Sequence, residues 1–161
     1  MNSHLYLIRG LPSSGKTKLA HTLLDGLGQG SCHFEADDWF EKEDGYEFDP
    51  SEIKAAHSHC LAQTKRALDE GKPVIVSNTF TQLWELEPYV KLHTESFYYP
   101  KGSSNLSWRI PLTVIDLYDQ GYGDIALASK NKHGVSVEAI RRMRKRYQHD
   151  WRSMECSMRS K

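Results

Sequence analysis

Apolar positions along the chain fall into two alternating rhythms. His4-Leu5-Tyr6-Leu7-Ile8, Pro73-Val74-Ile75-Val76-Ser77 and Leu112 to Leu117 are short, nearly unbroken apolar runs, the pattern of strands buried on both faces. Cys32-His33-Phe34-Glu35 predicts a shorter strand of the same kind. Between these runs apolar residues recur at helical spacing. One helix is predicted from Lys16 to Asp25 with a stop at Gly26. A second starts at Asp49-Pro50-Ser51-Glu52, where a cap, a proline at the first helical position and an acid follow in order, and it stops at Gly71. Its buried stripe is Ile53, Ala56, Cys60, Leu61, Thr64, Ala67 and Leu68. Leu83, Leu86 and Val90 mark a third helix from Gln82 to about Thr94. A short helix from Asp124 to Lys132 and a terminal one capped by Ser136, from Val137 to about Trp151, complete the series. From Thr94 to Pro111 the pattern weakens around Pro100 and Gly102, which predicts an irregular insertion. Strand and helix signals that alternate in this way predict an α/β protein, a parallel sheet covered on both faces.

The 161 residues suit one domain, expected to span 1–161, with no internal repeat. Lysine plus arginine equals aspartate plus glutamate at 21 each, so no global positive field advertises nucleic acid. Cys32, Cys60 and Cys156 show no C-x-x-C spacing and read as free thiols of a reducing compartment, with no disulfide framework or zinc site implied. No secretory signal and no run of about twenty apolar residues is present, so the expectation is a cytoplasmic protein without a membrane partner, or one of the host cytoplasm if the source is viral.

The chemistry is concentrated at Gly10-Leu11-Pro12-Ser13-Ser14-Gly15-Lys16-Thr17, which matches G-x-x-x-x-G-K-[ST] in full between a strand and a helix. Glycines let the backbone curl so that its N–H groups converge on phosphate oxygens; Lys16 spans the β and γ phosphates, and Thr17 offers a ligand to Mg²⁺. ATP and Mg²⁺ are therefore the expected cofactors. In an open parallel sheet the ligand lies at the carboxyl ends of the strands. Asp37-Asp38, Asn78-Thr79 and Asp119 are thus expected to converge with the loop on one cleft. A carboxylate there can take the proton of an attacking hydroxyl. The competing reading is that Asp37 and Asp38 cap a helix from Trp39 to Glu43. His57 and His59, two apart on a helix, point to different faces and are expected in surface or core roles rather than as a metal pair. The polybasic helix with Arg141, Arg142, Arg144, Lys145 and Arg146 is open to three readings: a nucleic-acid contact, a stack on adenine, or a solvated face.

GLPSSGKT at 10–17, ADDWF at 36–40, GYEFDP at 45–50, VIVSNT at 74–79 and KNKHGVSVEAIRRMRKRY at 130–147 together resemble the kinase domain of the polynucleotide kinase family, which includes small ATP-binding kinases of phages and bacteria and NEDD4-binding-protein-2-like proteins. The resemblance covers most of the chain. It implies a three-layer P-loop kinase fold with a parallel sheet of roughly four to five strands and a small helical lid, placed here at about 124–135. It implies Asp37 as general base, Asp38, Asn78 and Thr79 on the acceptor side, and Arg141 or Arg144 near the ATP base. Lys130 and Lys132 stand where the family's lid usually carries arginine; lysine is a point charge and lacks arginine's bidentate fork. Phe80 also replaces the asparagine that often follows Asn-Thr. The implied reaction moves the γ-phosphoryl group of ATP to a hydroxyl of nucleic acid, DNA favoured over RNA. The acceptor is a 5′-hydroxyl end or the hydroxymethyl group of 5-hydroxymethyluracil in DNA. A nucleoside or small-metabolite kinase and a non-catalytic ATP-binding switch are the alternatives.

Overall fold

A computed structural model describes residues 3–95, 97–98 and 108–153. Strand β1 (His4–Gly10) leads into the glycine-rich loop and helix α1 (Lys16–Leu27), followed by β2 (Cys32–Phe34), a 3₁₀ turn (Ala36–Phe40) and the small antiparallel pair β3 (Glu41–Lys42) and β4 (Gly45–Tyr46). A second 3₁₀ turn (Pro50–Glu52) opens α2 (Ile53–Asp69), and β5 (Pro73–Ser77) and α3 (Leu83–Glu95) follow. After β6 (Phe97–Tyr98) and β7 (Trp108–Arg109) come β8 (Leu112–Tyr118), α4 (Asp124–Ser129) and α5 (Val137–Arg146).

The main sheet has four strands in the order β2-β5-β1-β8, all parallel. Strand alternation splits its side chains between two cores. Ile8 and Ile75, with Tyr6, Ile115 and Leu117, meet Ala20, Leu19, Leu23 and Leu24 of α1 on one face. Leu5, Leu7, Val74 and Val76 meet Ala56, Cys60, Ala67 and Leu68 of α2 and Leu86, Tyr89 and Val90 of α3 on the other. Each fully buried Leu, Ile or Val contributes roughly 1.5–3 kcal/mol, so both faces hold the sheet firmly beneath the loops that emerge at its carboxyl end. A third, smaller core, Leu11, Leu127, Ile140 and Tyr147, clamps α4 and α5 over the loop after β1.

Several boundaries differ from the sequence pattern. α1 runs through Gly26 to Leu27 and stops at Gly28, whose φ of 79° is a backbone conformation that glycine adopts without strain. Asp49 caps the turn before α2 as expected, accepting from the Ser51 N–H at 2.8 Å. No helix forms over Trp39–Glu43: the turn begins earlier, and Glu41–Lys42 pairs with Gly45–Tyr46. The stretch read as an irregular insertion begins and ends in a paired ribbon, Phe97 and Tyr98 opposite Arg109 and Trp108, while 99–107 lie outside the described residues. α5 is capped by Ser136 but ends at Arg146, because Tyr147 turns extended to bury its ring, and the Gln148 N–H bonds the Thr81 carbonyl at 2.8 Å. Cys32 and Cys60 are free thiols, and Cys156 lies outside the described residues. No helix among the described residues is long and apolar enough to cross a membrane.

Candidate functional site

The loop from Gly10 to Thr17 is built around close backbone approaches. A Cβ at Gly10 would come within 2.5 Å of the Ser14 Oγ and 3.1 Å of the Tyr118 carbonyl, so only glycine fits. Gly15 holds a φ of 94° and turns the chain into α1. The backbone N–H groups of Gly15, Lys16 and Thr17 have no acceptor among the described residues, and the buried Ser14 hydroxyl also lacks a partner. Unpaired donors at a helix start, converging on a concave turn, are what a phosphate group satisfies. Lys16 folds back to donate to the Leu11 carbonyl at 2.9 Å. Burial lowers its ammonium to about 8, against the opposing pull of Glu35 and Asp37.

Glu35, which the sequence pattern treated only as the end of a strand, organises the floor of the site. Its Oε1 accepts from the Thr17 hydroxyl at 2.8 Å and from the Ser77 hydroxyl, and His33 Nε2 stands 3.5 Å away. Burial alone would raise this carboxyl, but the hydrogen bonds of His33, Ser77 and Thr17 outweigh it and bring it to about 2. Glu35 stays ionised. With its proton committed to Glu35, the Thr17 oxygen keeps its lone pairs for another partner, which fits a Mg²⁺ ligand.

A cavity of about 480 Å³ opens beside the loop, lined by Ser13, Lys16, Thr17, Asp37, Asn78 and Thr79 among others. Asp37 is therefore brought next to the loop. Desolvation raises its carboxyl, followed in weight by the lowering effect of His133, repulsion from Glu35, and the lowering effects of Lys16 and His57. Asp38 turns back to accept the Glu35 N–H at 2.8 Å and does not line the cavity. Asn78 lines it, yet its carbonyl oxygen accepts the Ala36 N–H at 2.8 Å, so it fixes the turn that carries Asp37. Thr79 lines the cleft and its carbonyl accepts from Gly10.

From the connection between α4 and α5, Asn131, His133, Gly134 and Val135 reach the cavity. Asn131 donates to the Ser13 hydroxyl at 3.2 Å and accepts from the N–H groups of His133 and Val135, tying that connection to the nucleotide loop. Lys130 and Lys132 do not line the cavity; the Lys130 ammonium sits 3.3 Å from the centre of the Tyr122 ring. Arg144 is spent on Asp119 and Asp124, the Tyr118 hydroxyl and the Tyr122 carbonyl, and Arg141 faces Asp124 at 3.5 Å. Neither lines the cavity. Asp119, expected in the cleft, is likewise held by Arg144, because β8 ends under α5 rather than beside Lys16.

Among the titratable residues of the cleft, the sequence reading did not place Glu35, His57, Glu85, His133 or Arg146 there. His57 was detectable: it follows Ile53 and Ala56 at i+4 and i+1, on the face of α2 that meets the cavity, whereas His59 packs on Trp39 with ring centroids 5.2 Å apart. Arg146 shares a helix face with Ala139 and Met143, also cavity residues.

The chain matches the AAA domain family model over residues 5–98. It is 36% identical over 145 residues to human NEDD4-binding protein 2, covering 89% of this chain and 8% of that protein. It thus spans a small fraction of that relative's length. Among solved structures it is similar to a chain of a Pnkp1/Rnl/Hen1 RNA repair complex, with a TM-score of 0.65 and 16% identity over 90% of this chain and 43% of that one. A gluconokinase from Sinorhizobium meliloti 1021 has a TM-score of 0.52 and 15% identity, over 91% of this chain and 75% of the other. At these identities the structural likeness is one of fold.

Proposed function

The chain belongs to the AAA domain family, with a P-loop kinase-like fold, and from that premise we propose that it is an ATP-dependent kinase acting on a hydroxyl of nucleic acid. The observation that carries the reading is that one cavity is lined both by the nucleotide loop, with Lys16 and Thr17, and by the partly desolvated carboxylate of Asp37. A switch that only binds nucleotide needs the first and has no use for the second. In the proposed step the N–H groups from Gly15 to Thr17 and the Lys16 ammonium hold the transferred phosphoryl charge. Thr17, backed by Glu35, would hold Mg²⁺, which when bound neutralises charge on the phosphate oxygens. Asp37 accepts the hydroxyl's proton as the oxygen attacks the γ-phosphorus, the bond from that phosphorus to the β–γ bridging oxygen breaks and ADP leaves, and its raised carboxyl makes Asp37 the stronger base for that task. Lys130 and Lys132 are proposed to swing onto the phosphates when the lid closes, Lys130 leaving the Tyr122 ring.

Similarity to a chain of an RNA repair complex supports a nucleic-acid acceptor, DNA or RNA; the likeness to a gluconokinase keeps a small polyol acceptor as the rival. The test is incubation with labelled ATP and a panel of 5′-hydroxyl DNA, 5′-hydroxyl RNA, hydroxymethyluracil DNA, free nucleosides and gluconate. Labelled nucleic acid is the expected product. Lys16→Ala, folded by circular dichroism, is expected to lose at least roughly 10²-fold in turnover, the scale of removing one preorganised charge contact. Label confined to gluconate, or wild-type turnover by Lys16→Ala, would refute the reading.

A further inference from the structure

Asn78 is the joint between the phosphate loop and the turn that carries Asp37. Its backbone N–H bonds the Ile8 carbonyl of β1 at 3.2 Å, and the following carbonyl, that of Thr79, accepts from Gly10. Its side-chain oxygen accepts the Ala36 N–H at 2.8 Å. A backbone N–H can only donate, so the atom facing Ala36 is the oxygen and the amide nitrogen is directed elsewhere. That nitrogen donates to the Cys60 Sγ at 3.7 Å, a long bond because sulfur is large and a weak acceptor. Among the described residues the sulfur is its one partner. Loop and turn are thus referred to each other through a single side chain, and Cys60 sets how that side chain is rotated.

The amide and the thiol belong to a buried polar row inside an otherwise apolar core. Cys60 of α2 is 2% exposed, and the Tyr89 hydroxyl of α3 lies against its thiol. Tyr89 is 3% exposed, and its hydroxyl has no oxygen or nitrogen partner among the described residues. Burial pushes the Cys60 thiol up, so it stays protonated and neutral. Leu7, Ala56, Val76 and Leu86 share the surrounding core. An aliphatic side chain at position 60 would serve that core as well, but it would leave the Asn78 amide nitrogen buried without an acceptor. Cys60 does not line the cavity, so it acts from behind the site.

We propose that Cys60 is a positioning residue for the proposed transfer: its sulfur, backed by Tyr89, holds the Asn78 amide in the orientation that carries Ala36, and so sets where Asp37 stands against the phosphate loop. The hold on the turn is independent of the reaction, while its effect on transfer rests on the kinase function. A misplacement of about 1 Å at a reacting group can lower a rate by roughly 10². The turn has other anchors, Asp38 on the Glu35 N–H at 2.8 Å and the Trp39 Nε1 on Glu52 at 2.9 Å, so loss of the sulfur is expected to cost about tenfold rather than the full factor.

Amide hydrogen exchange followed by NMR, beside single-turnover transfer and ATP titration, tests it in Cys60→Ala and Cys60→Ser. In Cys60→Ala the Ala36 amide is expected to exchange at least roughly tenfold faster than in the wild type, while Leu7 and Val76, paired across β1 and β5, exchange as before. Transfer should fall by about tenfold, with ATP affinity held within about twofold. Serine keeps an acceptor at this position, so Cys60→Ser should recover most of both losses. Tyr89→Phe removes a hydroxyl and leaves the ring in the core; it should quicken Ala36 exchange by a smaller factor. The inference falls if folded Cys60→Ala leaves Ala36 exchange unchanged, if Leu7 and Val76 quicken equally, if ATP affinity drops as much as transfer, or if serine recovers nothing. Should Cys60→Ala not fold, unchanged Ala36 exchange in Tyr89→Phe overturns it. Faster Ala36 exchange in Cys60→Ala, with no transfer even by the wild type, would refute the kinase function and leave the positioning of the turn standing. Wild-type transfer that Cys60→Ala leaves intact, with Ala36 exchange unchanged, would do the reverse.

Discussion

Lys16 and Asp37 are displaced toward each other on the pH scale because the cleft desolvates both, lowering the ammonium to about 8 and raising the carboxyl. As pH rises through about 8, the free protein loses the Lys16 charge, so kcat/KM for ATP is expected to decline on that side. As pH falls, Asp37 is protonated earlier than an ordinary aspartate, so the acid limb of transfer should begin at higher pH than an unperturbed aspartate would give. Asp37→Asn keeps the shape of the side chain but cannot take a proton, and transfer is expected to drop by roughly 10²–10⁴ with the acid limb flattened. ATP affinity should hardly change. Full activity in this variant, or a defect confined to ATP and Mg²⁺ binding, would return Asp37 to a structural or metal role. Asp38→Asn is a different experiment, since Asp38 holds the Glu35 N–H at 2.8 Å and its loss should appear in stability.

At the scale of elements, what the chain disclosed was whatever depends on local pattern. β5 is buried throughout and β1 nearly so, β8 at the sheet edge is half-buried along its length, and their apolar runs follow from that; Asp49 and Ser136 cap helices through bonds two or three residues away. What stayed hidden depends on distant partners. Nothing near Tyr147 in sequence says that α5 must stop there; the reason is Asp116, whose carboxylate accepts the Tyr147 hydroxyl at 2.6 Å from 31 residues away. Glu35 likewise looks like a strand end until Thr17 and Ser77 are brought against it. The α4–α5 connection, proposed as a lid, shows the same division. Lys130 and Lys132 stood out as charges, but the residue that joins this connection to the loop is Asn131, through the Ser13 hydroxyl and the N–H groups of His133 and Val135. Asn131→Ala should misplace the lid and lower transfer by roughly 10–10², with a smaller change in ATP affinity. Lys130→Ala combined with Lys132→Ala is also expected to lower transfer more than ATP binding, measured by single-turnover labelling beside nucleotide titration. Equal loss in both measurements would mean that these lysines only hold ATP.

Across the whole molecule, the piece that joins sheet, loop and terminal segment is Arg9, a fully buried cation at the end of β1. Its Nε and Nη2 donate to the Phe80 carbonyl at 3.1 and 2.7 Å, Nη2 also reaches the Gln148 carbonyl at 2.8 Å, and Nη1 faces Asp116 at 3.3 Å. The Tyr147 ring covers the guanidinium at 4.3 Å. Phe80, the departure from the family pattern, holds a φ of 43°, a left-handed conformation that non-glycine residues rarely adopt, and Arg9 receives the carbonyl so displayed. The residue next to the phosphate loop is thus anchored to β8, to the end of β5 and to the segment after α5 at once. Removing one charge of such a pair leaves the other buried without compensation, so Arg9→Met is expected to destabilise by about 3–5 kcal/mol in urea unfolding. Asp116→Asn keeps an oxygen for Tyr147 and for the Tyr118 N–H but strands the guanidinium, and should also cost several kcal/mol, about the same scale. The double variant holds neither charge, so its cost should fall well below the sum of the singles, with a coupling of about 1–3 kcal/mol. Simple additivity would show that Arg9 is held by its carbonyl partners alone. The ion pair would then play no part in fastening the terminal segment to the sheet beneath the nucleotide loop.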